Sequence, residues 1–182
     1  MGQLIFPLKG FQRFRMTREP DTTKIHADRR TYHILLAEDC SADVGIVRIA
    51  LRGQNLDHVL HVAKDGEEAI GYILEADRHL NAPCFDLVLL DMHLPKHDGE
   101  EILKCLRSTE CYAQTPVVIM SASDAPGDHE KAQEHGALIY FRKPSALAEF
   151  AVLGKIVRDI LTGSEPATPD APAQKTRSHE RS

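Results

Sequence analysis

Five strand-length apolar runs, alternating with stretches of helical period, constrain this chain more than any other feature of its sequence. His33 to Ala37, His58 to Ala63, Asp86 to Leu90, Pro116 to Met120 and Leu138 to Phe141 have the length and composition of strands. Among and after them, apolar residues recur at about 3.6-residue spacing: Val44, Val47 and Leu51; Ile70, Ile73 and Leu74; Ile102, Cys105 and Leu106; and Phe150, Leu153, Val157 and Ile160. Strands separated by helices call for a parallel sheet covered on both faces. ValLeuLeu at 88–90 and ValValIle at 117–119 are the uninterrupted apolar runs that central strands of such a sheet show. The fold class is therefore α/β. A further helix, Gly127 to His135, offers only Ala132 to bury, which predicts weak docking and a part able to move.

Charge is distributed unevenly along the 182 residues. Residues 1–30 carry seven bases and three acids, residues 31–162 twelve bases and 21 acids, and residues 163–182 three of each. An acidic middle repels nucleic-acid phosphates, so no nucleic-acid partner is expected. No apolar run reaches the roughly 18 residues of a membrane span, and the start lacks a signal-peptide cleavage pattern, so no membrane association and a cytoplasmic location are expected. With 42% apolar and 27% charged residues, the composition suits one soluble domain over 31–162. Residues 1–30 read as a basic, flexible N-terminal extension, and 163–182, with Pro166, Pro169 and Pro172, as a disordered polar tail. Cys40, Cys84, Cys105 and Cys111 form no C-x-x-C pair and read as reduced thiols.

In open α/β sheets, ligands sit beyond the carboxyl ends of the strands. Here the first strand ends in Glu38 and Asp39, the third in Asp91, the fourth in Ser121 and Ala122, and the fifth runs into Lys143 and Pro144; the second supplies only Lys64 and Asp65. Adjacent strands lie about 4.8 Å apart, so if the first and third are neighbours, Asp91 can share a cation with Glu38 and Asp39. Three carboxylates that close need compensation, and a hard divalent ion, Mg²⁺, supplies it while keeping a position open for a phosphoryl oxygen. The fifth strand is two spacings from the third, roughly 10 Å, which only a long side chain such as Lys143 can span. A carboxylate attacking an anionic phosphoryl group depends on cations and donors around the equatorial oxygens. The ion would take one oxygen, Lys143 a second, and the Ser121 hydroxyl with the Ala122 amide the third. That makes Asp91 an acceptor, and the segment Ser123 to His135 the part that shifts.

Glu38Asp39, the Leu89Leu90Asp91Met92 strand end followed by Pro95 and Gly99, Ser121Ala122 and Lys143Pro144 resemble, in order and spacing, the receiver domain of two-component response regulators over about residues 32–161. The resemblance implies a flavodoxin-like, doubly wound, five-stranded parallel sheet of strand order 2-1-3-4-5 with helices on both faces. It implies phosphorylation of Asp91 by a sensor histidine kinase, with magnesium bound by Asp39, Asp91 and the backbone carbonyl of His93, and Glu38 acting through water. Ser121 and Lys143 would hold the phosphoryl group, Tyr140 would be the switch aromatic with Ser121, and the Lys143–Pro144 bond would be cis. The protein would then be a phosphoacceptor that switches partner binding and not an enzyme. The longer turn HisLeuProLysHisAspGly, and no effector domain in sight, look most like stand-alone receivers partnering bacterial phytochromes and similar light-sensing kinases. The family often dimerises through the fourth helix, fifth strand and fifth helix, where Phe150, Val152 and Ile156 are available.

Each member of the set has a structural alternative. Asp39 and Ser41 suit a helix cap, Asp91 with the following LeuProLysHisAspGly suits a turn, Ser121 suits a loop, and Lys143 suits an exposed strand end. Three rival functions share the fold. A receiver-like interaction module that takes no phosphoryl group is one. A flavin or nucleotide carrier needs a phosphate-cradling loop after the first strand, where AlaGluAspCysSerAlaAsp offers carboxylates instead. A phosphohydrolase usually places an acid/base carboxylate two residues beyond its nucleophile, where His93 stands. The His93/His97 and His58/His61 spacings are discounted as metal pairs, because Pro95 breaks the first and the second points to opposite faces of a strand.

Overall fold

The computed structural model describes residues 4–5, 30–78, 84–123 and 126–164. The expected extension and tail therefore fall largely outside the described residues. Strands β1 (Leu4–Ile5), β2 (Tyr32–Ala37), β3 (His58–Ala63), β4 (Leu87–Asp91), β5 (Val117–Ser121) and β6 (Ile139–Arg142) form one sheet of order β1-β6-β5-β4-β2-β3. The five strands β2 to β6 are mutually parallel and reproduce the order 2-1-3-4-5. Helices α1 (Ser41–Arg52), α2 (Gly66–Arg78), α3 (Gly99–Ser108), α4 (Pro126–Glu134) and α5 (Ala151–Thr162) connect or follow them, with a 3₁₀ turn at Leu147–Phe150 before α5.

Every residue of β4 and of β5 is buried, as their apolar runs require of strands covered on both faces. Alternate residues feed two cores. Leu35, Val88, Leu90, Val117 and Ile119 pack with Ile73, Ile102 and Leu106 on one face. Ile34, Leu36, Leu89, Val118 and Met120 pack with Val47, Leu51, Leu153 and Val157 on the other. The α1 and α5 helices approach closely at Gly154, where an added Cβ would overlap the Ala50 carbonyl oxygen. No helix among the described residues is long and apolar enough to cross a membrane.

The fourth helix is attached differently. Ala132 is buried beneath it, while Lys131 and His135 reach Glu100 of α3 at 3.1 and 3.5 Å. Lys104 also bonds Glu100, at 2.6 Å. Hydrogen bonds from Lys104 and then Lys131 hold the Glu100 carboxyl down at about 2.

Four expectations change. The strand β1 pairs antiparallel with the edge of β6, Leu4 opposite Tyr140; a two-residue strand is too short to show a period, so nothing in the sequence marked it. Cys84 and Cys111 are joined as a disulfide, with Cα atoms 6.3 Å apart, while Cys40 and Cys105 stand outside it. The partners are 27 positions apart, in the connectors that lead into the adjacent strands β4 and β5, and a search for local C-x-x-C pairs cannot see such proximity. Phe150 and Ile156, offered above for a dimer face, are buried; Phe150 packs on Phe141 with ring centroids 5.9 Å apart, because the turn before α5 folds it inward. The Lys143–Pro144 bond is trans, the form an X–Pro bond favours by about 0.5–1 kcal/mol.

Two outcomes follow from this architecture. Reducing agent or Cys84→Ser should lower unfolding free energy in urea by about 2–4 kcal/mol, the usual gain from closing a loop of this kind. The Glu100 pairs act on α4 with a defined pH sense: the carboxyl titrates below its ordinary 4.5, so their contribution is present above 4.5 and is lost as pH falls through about 2. The protection of α4 amides, corrected for the intrinsic exchange rate at each pH, should fall across that interval, and Glu100→Gln should show lower protection already at neutral pH with a flatter acid response.

Candidate phosphoryl-transfer site

The parallel order brings the strand ends to one rim. Glu38 and Asp39 follow β2, Asp91 closes β4, Ser121 closes β5, and Lys143 lies one residue beyond β6. Ala37 is in register with Leu90, which sets the Glu38 and Asp91 ends side by side. Lys143 Nζ spans the rim and donates to Glu38 Oε2 at 2.7 Å, Asp43 Oδ2 at 2.9 Å and Asp91 Oδ2 at 2.6 Å. Its backbone amide donates to the Ser121 carbonyl at 2.8 Å. The reach expected of Lys143 is thus present in the geometry.

These groups are largely removed from water: the side chains of Glu38, Asp91 and Lys143 are 0, 11 and 11% exposed. Burial pushes the Glu38 carboxyl above its ordinary range, although the Lys143 hydrogen bond pulls the other way. Burial also opposes the Lys143 charge, but hydrogen bonds to Asp91, Glu38 and Asp43 outweigh it and raise the ammonium above its ordinary value. The ammonium is therefore protonated at neutral pH.

The first helix begins just after Glu38 and Asp39 and carries Asp43 in its first turn. Its N-cap is Cys40, whose amide donates to Glu38 Oε1 at 3.2 Å, and no side chain caps it. Asp39 is not used as a cap. Carboxylate oxygens of Glu38, Asp39 and Asp91 all lie within 4.8 Å of one another, with Asp39 exposed. Among the described residues this is the group of carboxylates and histidines that could share a metal ion. An all-oxygen, partly exposed set suits a hard divalent ion that keeps some of its waters, so the donors present fit magnesium. The histidines are occupied elsewhere: His61 Nε2 lies 3.1 Å from His33 Nδ1, and His58 Nδ1 bonds the Leu56 carbonyl at 2.8 Å.

The loop after Asp91 is tightly built. The His93 amide donates to Asp91 Oδ1 at 2.9 Å, and the His93 ring reaches toward Asp128 of α4 at 3.9 Å. Pro95 accepts from the Gly66 and His97 amides. Lys96, at φ +70°, sits in the left-handed region while its Nζ bonds Asp65 and Glu67 at 2.9 and 2.6 Å. Asp98 and Glu101 close a capping box that starts α3. A cleft of about 410 Å³ opens beside the carboxylates, lined by Asp39, His93, Pro95, Asp98 and Asp128 among others.

Ser121 is fully buried, and its Oγ accepts from the Ser123 amide at 3.1 Å; Ala122 is exposed. Tyr140 is buried on β6, and its hydroxyl donates to the Ser123 carbonyl at 3.1 Å. Two participants escaped the sequence reading. Asp43, in the first turn of α1, was signalled by the acidic run but not picked out. His129, whose ring stacks on Tyr140, had no signal, because one histidine on a polar helix has no period to belong to.

A family model described as the response regulator receiver domain matches residues 34–153. The response regulator Rcp1 of Synechocystis is 32% identical over 127 residues, spanning 70% of this chain and 84% of Rcp1. The crystal structure of the phosphorylated cyanobacterial phytochrome response regulator RcpA matches with a TM-score of 0.68 at 30% identity, covering 78% of this chain and 100% of that one. The Mn²⁺-bound form of response regulator Rcp1 matches with a TM-score of 0.63 at 29% identity, covering 70% and 92%.

Removing the ammonium tests the cluster. Lys143→Met leaves the buried Glu38 and Asp91 carboxylates facing one another. Unfolding in urea with chelator present should show a loss of about 3–5 kcal/mol, the range for breaking a buried ion pair from one side. Added magnesium should recover more stability in the variant than it adds to the parent protein.

Proposed function

Because the chain belongs to the response regulator receiver domain family, we propose that it accepts a phosphoryl group from a sensor histidine kinase on Asp91, in a magnesium-dependent reaction, and that the phosphorylated form binds a different partner. The observation that carries this reading is the Lys143 ammonium 2.6 Å from Asp91, across the rim from a strand two places away, beside a cluster of carboxylate oxygens. None of the local alternatives for these residues calls for that convergence. Capping would engage Asp39, and an exposed strand-end lysine would not be buried.

In the transfer, an Asp91 carboxylate oxygen forms a bond to phosphorus as the bond from phosphorus to the kinase histidine nitrogen breaks. The electron pair stays on that nitrogen, which takes up a proton. Glu38, Asp39, Asp91 and the His93 backbone carbonyl would hold magnesium, whose charge offsets that of one phosphoryl oxygen. Lys143 turns its ammonium from the carboxylates to a second oxygen, and the Ser121 hydroxyl with the Ala122 amide takes the third. The product acyl phosphate adds roughly 1.5 to 2 negative charges at the rim, by analogy with other phosphorylated side chains. Ser121 and Lys143 follow that charge, and Tyr140 with the segment after Ser121 responds. Under this reading the chain is a phosphoacceptor that turns over only its own phosphoryl group. The description of RcpA as a phytochrome response regulator supports a kinase of the phytochrome class as donor.

Incubation with a small phosphodonor and magnesium should give a stoichiometric, acid-labile label that chelator prevents. Asp91→Asn should keep the circular dichroism spectrum of the parent and take no label. A label that persists on Asp91→Asn would displace Asp91 from this role. A parent protein that stays unlabelled by both the phosphodonor and autophosphorylated kinases would favour the interaction-module reading.

A further inference from the structure

The fourth helix has one aromatic contact that its polar sequence conceals. The His129 ring lies nearly parallel to the Tyr140 ring, with centroids 3.8 Å apart and planes at 22°. Tyr140 is 1% exposed, so the imidazole covers one side of a ring embedded in the sheet. At its other end, the Tyr140 hydroxyl donates to the Ser123 carbonyl at 3.1 Å. The Ser123 amide in turn donates to Ser121 Oγ at 3.1 Å. Ser121, Ser123, Tyr140 and His129 thus form an unbroken run of contacts from the phosphoryl rim to α4.

We propose that His129 is the positioning residue through which the state of Ser121 reaches α4. This rests on the phosphoacceptor reading above. A Ser121 hydroxyl that turns to a phosphoryl oxygen draws its Oγ away from the Ser123 amide. The Ser123 peptide then reorients, carrying its carbonyl with it. A buried tyrosine hydroxyl follows its acceptor, because leaving it unpaired is costly. The ring displacement breaks the parallel overlap with His129. Beyond Ala132, α4 is attached largely through ion pairs at its surface, so loss of the stack releases it. A ring at position 129 is what this transmission needs, whereas imidazole chemistry is not.

Amide exchange over residues 126–134, read in the full chain with and without phosphoramidate and magnesium, tests the assignment. In His129→Ala, exchange before phosphorylation should rise roughly 2- to 10-fold, as loss of a ring stack implies. The further rise on adding the phosphodonor should disappear, while the rate of Asp91 labelling stays that of the parent. His129→Phe should restore both the protection and the response, and Tyr140→Phe should keep the protection and lose the response. A parent-like response in His129→Ala, or failure of His129→Phe to restore it, would overturn the proposal. Should the parent take no phosphoryl group, the function reading fails, and the contact path is judged without phosphate. Ser121→Ala should then speed α4 exchange in the parent and add nothing to His129→Ala; additive effects would count against the path.

Discussion

A single buried ammonium holds the reactive rim together. Lys143 donates to Glu38, Asp43 and Asp91 at once, and its charge offsets the repulsion among three carboxylates held close to one another. The cluster is a poor device for stability, because desolvating four charged groups consumes most of what their attraction returns. It is well suited to a site whose charge changes. Each carboxylate oxygen bonded to lysine in the resting form is one that a divalent ion or a phosphoryl group can displace, and the long lysine stem lets its head move without the backbone moving.

Around that rim the molecule is built with two very different attachments. On one face α1 and α5 meet closely at Gly154 over a continuous apolar core. On the other, α4 rests on Ala132, a ring stack and surface ion pairs to Glu100. A few kcal/mol of new electrostatic energy at the rim is small against the first attachment and comparable with the second. Under the proposed function, a phosphorylation signal would therefore leave the site where the apolar surface runs out. The β1 strand borders the same region, pairing Leu4 with Tyr140 along the β6 edge.

Much of this could be read from residues alone. Glu38, Asp39, Asp91, Ser121 and Lys143 each close a strand whose apolar run is visible in the sequence, and the rule that ligands gather at carboxyl strand ends joins them. The weakness of α4 was equally plain, since Ala132 is its lone apolar candidate. What was not legible has a common cause. Asp43, His129 and the Cys84–Cys111 pair enter through side chains that meet across the fold, and nothing local distinguishes them from ordinary surface residues. Phe150 and Ile156 failed in the opposite sense, because apolar residues at helical spacing do not declare whether they face a partner or their own core.

The sequence by itself determined the alternation of strands and helices, the residues at each strand end and hence the kind of chemistry on offer, because periodicity and strand length are properties of short segments. Only the tertiary structure decided which carboxylates share Lys143, which ring backs Tyr140 and which cysteines meet. Those pairings depend on the order of strands in the sheet and the seating of helices over it, and both arise from packing between segments far apart in the chain.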